Sequence, residues 1–217
     1  MTVHGLLLRR ETTAPGLLAA AALSSAGFGA AVGSYTGRWQ ILTDAVKMPV
    51  YLLGTLAISF TAMHVFAAKD LKPRETFAAA MEAVALTAVV LGALSPIVWL
   101  MSVSLPFSVG LRTPRSQQAY RLLILLLSGS VAVAGIAGVA RLHSRLRSIL
   151  RQGSGWRAVR LTVAWVLLYQ FVGAQMAWLL KPWVSCTGRD DRFLPIRDNL
   201  QGNFYESVYH TFLGLFS

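Results

Sequence analysis

The chain has 217 residues, of which 55% are hydrophobic and 13% are charged, whereas a soluble domain typically carries about 25% charged residues. Twenty Lys and Arg against nine Asp and Glu give a net charge of +11. These values exclude intrinsic disorder and argue against an ordinary water-soluble domain. A single cysteine, Cys186, excludes an internal disulfide and a cysteine-rich metal module. The cations flank long apolar runs, which indicates a membrane protein with no nucleic-acid partner.

Five apolar runs are long enough to cross a hydrocarbon core of about 30 Å, which takes roughly 20 residues of helix. The runs cover residues 15–34, 49–68, 77–103, 122–140 and 161–180. They lack the alternation of barrel strands, and a helix satisfies its own backbone in lipid. We therefore predict a single integral membrane domain with an all-α fold. It would be a polytopic transmembrane helical bundle of about five spans, with short amphipathic interfacial helices and an outer tail at 185–217.

The first run has a competing interpretation. Arg9 and Arg10 precede an apolar, alanine-rich stretch, which also describes a secretory signal peptide. The small residues of this run suit close helix packing better than exposure to lipid. We expect a retained span.

Basic residues fall on both of the sides that five spans create, with a small excess on one of them. Eleven of the twenty Lys and Arg fall on the side of the amino terminus, and the 141–160 segment holds six cations and no acid. Short cytoplasmic loops are enriched in Lys and Arg. We therefore predict a multi-pass protein of the bacterial inner membrane, with the amino terminus in the cytoplasm and the carboxyl terminus outside.

The segment 141–151 has the spacing of a basic amphipathic helix. Leu142, Leu146 and Ile149 form an apolar stripe with cations beside it. A helix of this kind lies in the headgroup layer. The residues predicted to contact anionic headgroups or an acidic partner are Arg141, Arg145, Arg147 and Arg151. Plain topological anchoring is the alternative.

Small residues recur at helical spacing in two runs. Gly29, Gly33 and Gly37 lie four residues apart, and Ala134 and Gly138 form a second pair. Small side chains let helix backbones approach each other in lipid. Both motifs predict helix packing, either inside the bundle or against a second copy or another membrane protein.

Three polar side chains fall inside the apolar runs, where an ionisable group is costly and suggests function. Glu82 either reaches the interface or accepts hydrogen bonds near a helix start, or it is a buried carboxylate that pairs with a cation or relays protons. His64 is either a satisfied polar contact or a ligand. Gln175 is placed to hydrogen-bond across helices.

Aromatic and acidic residues near the carboxyl terminus complete the candidate sites. Trp178 and Trp183 suit an interfacial aromatic belt. Glu206 and His210 lie at i and i+4, in a segment that predicts a short amphipathic helix on the outer leaflet. A zinc site needs three or four ligands, so this pair is a weak metal candidate and no metal is predicted.

Several of these features resemble the Yip1-type membrane proteins. They are the five spans, the cytoplasmic amino terminus, a run that opens with Lys47-Met48-Pro49, and a third run broken by Pro96. The blocks 173–182 (GAQMAWLLKP) and 202–206 (GNFYE) are similar to uncharacterised bacterial multi-span proteins, so the resemblance covers residues from about 45 to the end. It implies a non-enzymatic bundle that acts through partners.

Catalytic motifs are missing from the sequence, which contains no phosphate loop, dinucleotide fingerprint, zinc-protease motif or nucleophile elbow. We predict a non-enzymatic accessory subunit of a larger membrane complex, with no cofactor unless a lipid serves as one. Its partners would be lipids, including anionic headgroups, other membrane subunits or its own copies. The second hypothesis is a channel or transporter subunit with an oligomeric pathway lined by Glu82, His64 and Gln175. The third is a membrane enzyme or cofactor carrier that uses His64 or the Glu206–His210 pair.

Overall fold

The computed structural model describes residues 14–66, 68, 70–106, 114–150 and 155–180. These ranges contain the helices α1 (Ala14–Gly33), α2 (Arg38–Phe66), α3 (Pro73–Ser104), α4 (Pro114–Ile149) and α5 (Gly155–Leu180). All five are long and apolar enough to cross a membrane, and no strand occurs in the same ranges. The predicted all-α bundle of five spans is confirmed.

The helices extend beyond the apolar runs that predicted them. α2 begins at Arg38 and not at residue 49, and α4 covers 114–149 and not 122–140. The hydrocarbon core uses only about 20 residues of a helix. Helical hydrogen bonding continues into the headgroup layer, where long basic side chains reach water. Polar helix ends are therefore invisible to a search for apolar runs.

Four helices form a ring, in which α2, α5, α4 and α3 each contact their two neighbours, and α1 packs outside in the groove between α2 and α3. Consecutive helices run antiparallel. The α2–α3 and α4–α5 connections share one end, which we call the basic end. The α1–α2 and α3–α4 connections share the other, which we call the opposite end.

Two glycines of α1 set its distance from α2. A Cβ atom at Gly29 or Gly33 would clash with the main-chain carbonyl of Asp44 or Gln40 respectively. α1 ends at Gly33, so Gly37 does not continue the predicted stripe. Gly37 has a φ of +143°, which favours glycine, and makes the turn into α2. Gly29 and Gly33 therefore pack α1 against α2 of the same chain.

The segment 141–150 is not a separate interfacial helix, and that prediction is wrong. It continues α4, and its apolar residues Leu142 and Leu146 are fully buried against the bundle. An apolar stripe of this kind occurs both in a helix that lies on lipid and in a helix end that packs against neighbouring helices. Sequence spacing does not distinguish the two.

Prolines do not interrupt the spans. Pro49 lies inside α2 and Pro96 lies inside α3, which runs on to Ser104. A proline removes one main-chain hydrogen bond, and transmembrane helices tolerate this loss. The expected break at Pro96 therefore does not occur.

The outside of the bundle is covered with large apolar side chains, as expected of a surface that faces lipid. Trp39 and Trp99 are about half exposed near the opposite end, and Trp156 is exposed at the basic end. Tryptophan is enriched at both membrane interfaces. The belt predicted from Trp178 and Trp183 involves side chains outside the described set.

Candidate functional site

Glu82 on α3 is paired with two arginines of α4. Arg141 donates from Nε and Nη2 to Oε2, at 3.0 and 2.7 Å, and Arg145 donates from Nη2 to Oε1, at 2.6 Å. The Glu82 side chain is 14% exposed. Arg141 and Arg145 can share one carboxylate because residues four apart lie on the same helix face. These three residues form the ion cluster.

The ion cluster decides between the two interpretations of Glu82. Both carboxylate oxygens accept charged hydrogen bonds within the chain, so Glu82 is the paired carboxylate and is not free to reach the interface. Arg141 and Arg145 had been expected to contact headgroups or a partner. In the structure both side chains point towards α3 instead. The ion cluster carries a net charge of +1.

Small residues on α4 bring the two helices of the ion cluster together. A Cβ atom at Gly138 would clash with the Thr87 side chain and would lie 3.1 Å from the Ala83 carbonyl oxygen. Ala134, one turn earlier, is fully buried. The Ala134–Gly138 pair thus packs α4 against α3 of the same chain.

Other cations of the basic end remain on the surface. Arg157 pairs with Asp70 at 2.8 Å, and both side chains are largely exposed. Arg74, Arg147 and Arg160 are exposed, and they make no ion pair with any residue that the structure describes. We call these three residues the exposed arginines.

A cavity of about 130 Å³ lies inside the ring of four helices, near the middle of the bundle. We call it the central cavity. Aromatic rings from α2 and α5 line it, namely Tyr51, Trp165 and Tyr169. Small residues from α3 and α4 also line it, including Ala83, Gly135 and Gly138. A Cβ atom at Gly135 would meet no heavy atom within 4 Å, so this glycine leaves space open at the cavity.

The aromatic side chains of the cavity differ in their hydrogen bonding. The rings of Trp165 and Tyr169 are 4.9 Å apart, and the Tyr169 hydroxyl donates to the Leu52 carbonyl at 3.4 Å. Trp165 is 4% exposed, and its Nε1 has no acceptor within the described part of the chain. A buried indole N–H usually has a partner. Trp165 is therefore the unsatisfied polar group beside the cavity.

Asp44 and Lys47 are buried charges that the apolar-run analysis missed. It began the second span at residue 49, but both residues lie within α2 and are only 4% and 5% exposed. They lie one turn from Met48 and Tyr51, which line the central cavity. The signal that could have found them is an acid and a base at i and i+3 directly before an apolar run, because residues at that spacing are neighbours on a helix.

The remaining polar candidates lie far apart. His64 is within one turn of the basic end of α2, where its ring is 5.9 Å from that of Phe60 and its Nδ1 lacks a partner among the described residues. Gln175 is half-buried within two turns of the opposite end of α5. The chain does not bring His64 and Gln175 to one place with Glu82. None of these three residues lines the central cavity. The polar residue that does so on α5 is Gln170.

In the ranges that the structure describes, no group of three or more His, Cys, Asp or Glu could hold a metal ion. The weak metal candidates Glu206 and His210 lie outside those ranges, as do Arg151, Trp183 and the whole tail 185–217. Comparisons with family models, curated proteins and solved structures find no match to the chain. The resemblance to Yip1-type proteins stays a prediction.

Proposed function

We propose that this chain is a non-enzymatic accessory subunit of a larger membrane complex, and that its exposed arginines dock an acidic surface of another membrane subunit. The five apolar helices indicate an integral membrane protein of the multi-pass class. The assignment to the bacterial inner membrane, with the basic end in the cytoplasm, belongs to the same proposal and rests on the distribution of Lys and Arg.

The observation that carries the proposal is the division of charge at the basic end. Arg141 and Arg145 are held by Glu82 inside the chain, whereas Arg74, Arg147 and Arg160 are exposed and make no ion pair with described residues. Clustered surface cations attract an acidic partner and orient its approach. The ion cluster fixes the end of α4 against α3, which gives Arg147 a defined position.

Purification at native expression tests the proposal. In a mild detergent we expect a membrane protein to co-purify in a fixed ratio, identified by mass spectrometry. Reversal of two exposed arginines, Arg147→Glu with Arg160→Glu, should release it. The matched control reverses Arg115 and Arg121, which are exposed at the opposite end of α4, and should retain it. A solitary monomer, or equal retention by both variants, contradicts the proposal.

A second candidate is a channel or transporter subunit, and one observation favours it. The central cavity lies midway along four helices, and transporters hold their substrates near the bilayer midplane. The ion cluster would then close the path towards the basic end. Solute flux into proteoliposomes that changes on Glu82→Gln supports this candidate, and absence of flux under any gradient rejects it.

A further inference from the structure

We propose that the outer surface of the bundle between α4 and α5, around Ala132 and Gln170, is a contact surface for a second copy of this chain. The side-chain amides of Gln170 in the two copies would hydrogen-bond to each other within the membrane. This inference does not depend on the proposed docking of an acidic subunit, which takes place at the basic end. It rests on the position of Gln170, on its lack of a hydrogen-bond partner and on the depth that the membrane imposes.

Gln170 lies near the middle of the membrane-spanning helix α5. It is the sixteenth of the 26 residues of that helix, about 4 Å from the helix midpoint at a rise of 1.5 Å per residue. The hydrocarbon core extends about 15 Å to each side of its midplane. Gln170 is exposed at this depth, and its neighbours Leu167 and Phe171 expose apolar side chains. The amide therefore faces acyl chains.

The amide of Gln170 is not satisfied within the chain. No hydrogen bond joins it to any residue that the structure describes. Lipid tails offer neither donors nor acceptors, so a polar group exposed to them is costly. A glutamine amide carries two N–H donors and one carbonyl acceptor. Full satisfaction thus requires a group on another molecule that both accepts and donates.

The helices α4 and α5 leave room beside Gln170 for another helix. They meet nearer the basic end, where His143 Nδ1 and Thr162 Oγ1 are 3.2 Å apart. Because the helices are antiparallel, eight residues along each from that contact bring Gln170 level with Gly135. A Cβ atom at Gly135 would meet no heavy atom within 4 Å, and Ala132, three residues earlier on the same face, is exposed. Small residues let another helix approach closely in lipid.

The depth of Gln170 favours a second copy as the occupant. Copies inserted with the same topology carry Gln170 at the same depth, and a two-fold contact pairs a residue near the axis with itself. The amide is complementary to itself in charge, since the partial positive charge of its N–H groups meets the partial negative charge of the other carbonyl oxygen. An unrelated helix would satisfy Gln170 only if it carried a polar side chain at that depth.

Self-association of the purified chain in lipid vesicles tests the proposal. Donor and acceptor dyes are attached at Cys186, the single cysteine of the chain, and energy transfer is followed as the protein is diluted with lipid. We expect the dilution curve of a dimer. Gln170→Leu should raise its dissociation constant about threefold to thirtyfold, the worth of an interhelical hydrogen bond in lipid. Leucine is similar in size and suits a lipid-facing surface, so this variant removes the amide and leaves the bundle intact.

Gln175→Leu is the matched control, because it removes the same group from another face of the same helix. Gln175 lies five residues further on, about 140° around α5 from Gln170, and is half-buried. Its replacement should leave the dissociation constant unchanged. Three results would overturn the proposal: no energy transfer at any ratio of protein to lipid, a Gln170→Leu dimer as tight as that of the native chain, or equal weakening by both substitutions.

Discussion

Glu82 links two helices that are distant in sequence, because its carboxylate accepts hydrogen bonds from residues 59 and 63 positions further along the chain. The depth of Glu82 in the bundle explains why its carboxylate needs these hydrogen bonds. Glu82 is the tenth residue of α3, about 14 Å from the start of that helix. A carboxylate near the edge of the hydrocarbon core requires charged partners, and two arginines one turn apart supply them.

Replacement of Glu82 by Gln should lower the free energy of unfolding by about 2–3 kcal/mol, because two guanidinium groups then face each other without a carboxylate. The partial exposure of both arginines, 37% and 43%, keeps the effect below the roughly 3–5 kcal/mol of a fully buried pair. Unfolding in mixed micelles, followed by circular dichroism during titration with dodecyl sulfate, measures it.

Glu75→Gln is the control for this change. Glu75 is 48% exposed and pairs with Lys72 at 3.4 Å within the same helix turn, and pairs of this kind contribute about 0–1 kcal/mol. Equal effects of the two substitutions would show that the ion cluster does not hold α3 against α4.

Sequence identified Glu82 as a functional candidate but not its partners. The cost of a charge in an apolar run is a local property, so it can be read from the run itself. Arg141 and Arg145 belong to another helix, and the same spacing equally fits a helix on headgroups. The orphaned N–H of Trp165 depends on four helices together, and no local pattern encodes it.

At the scale of elements, α1 and α2 approach closely where α1 has no side chain. A Cβ atom at Gly29 would collide with the Asp44 main chain, whereas a Cβ atom at Gly27 would lie 3.9 Å from Ser95 Oγ, an ordinary van der Waals distance. Main-chain atoms of a packed helix cannot move aside independently, so the two glycines should respond differently to the same methyl group.

Gly29→Ala should therefore lower the free energy of unfolding by about 1–3 kcal/mol through overpacking. Gly27→Ala should be neutral or slightly stabilising, since alanine is the better helix former by about 1 kcal/mol. The comparison needs only the unfolding titration of both variants in the same micelles. Indistinguishable stabilities would mean that α1 does not contact α2 at Gly29.

The end of α4 gives a second prediction at this scale. Leu146 is fully buried against the bundle, and truncation of a buried leucine typically costs about 2–5 kcal/mol. Leu146→Ala should show a loss of that size. Ile149→Ala, at a partly buried position, should show less. A negligible effect of Leu146→Ala would mean that this segment does not pack against the bundle, as the sequence-based prediction of a helix in the headgroup layer requires.

Sequence predicted the existence of all five spans, because a long apolar run has few alternatives in lipid. It missed the boundary of α2 by placing Asp44 and Lys47 before the span. Both are buried within the helix, where opposite charges at i and i+3 are neighbours on the helix surface. A hydropathy criterion counts each charge singly and so ends the span too early.

At the scale of the whole molecule, five consecutive antiparallel helices place the start of α1 and the end of α5 at opposite ends of the bundle. The α4–α5 connection lies at the basic end together with the start of α1, and α5 ends at the opposite end. Every role proposed for the exposed arginines depends on this arrangement, because the residues that dock a partner must share one aqueous phase.

Cysteine labelling in sealed membrane vesicles of known orientation tests this topology most directly. The native Cys186 reports the side reached after α5. Ser144→Cys in a Cys186→Ser background reports the basic end, since Ser144 is exposed near the end of α4. A membrane-impermeant maleimide should label the two cysteines from opposite sides, with residue 144 on the cytoplasmic side. Labelling of both from the same side would contradict the five-span bundle.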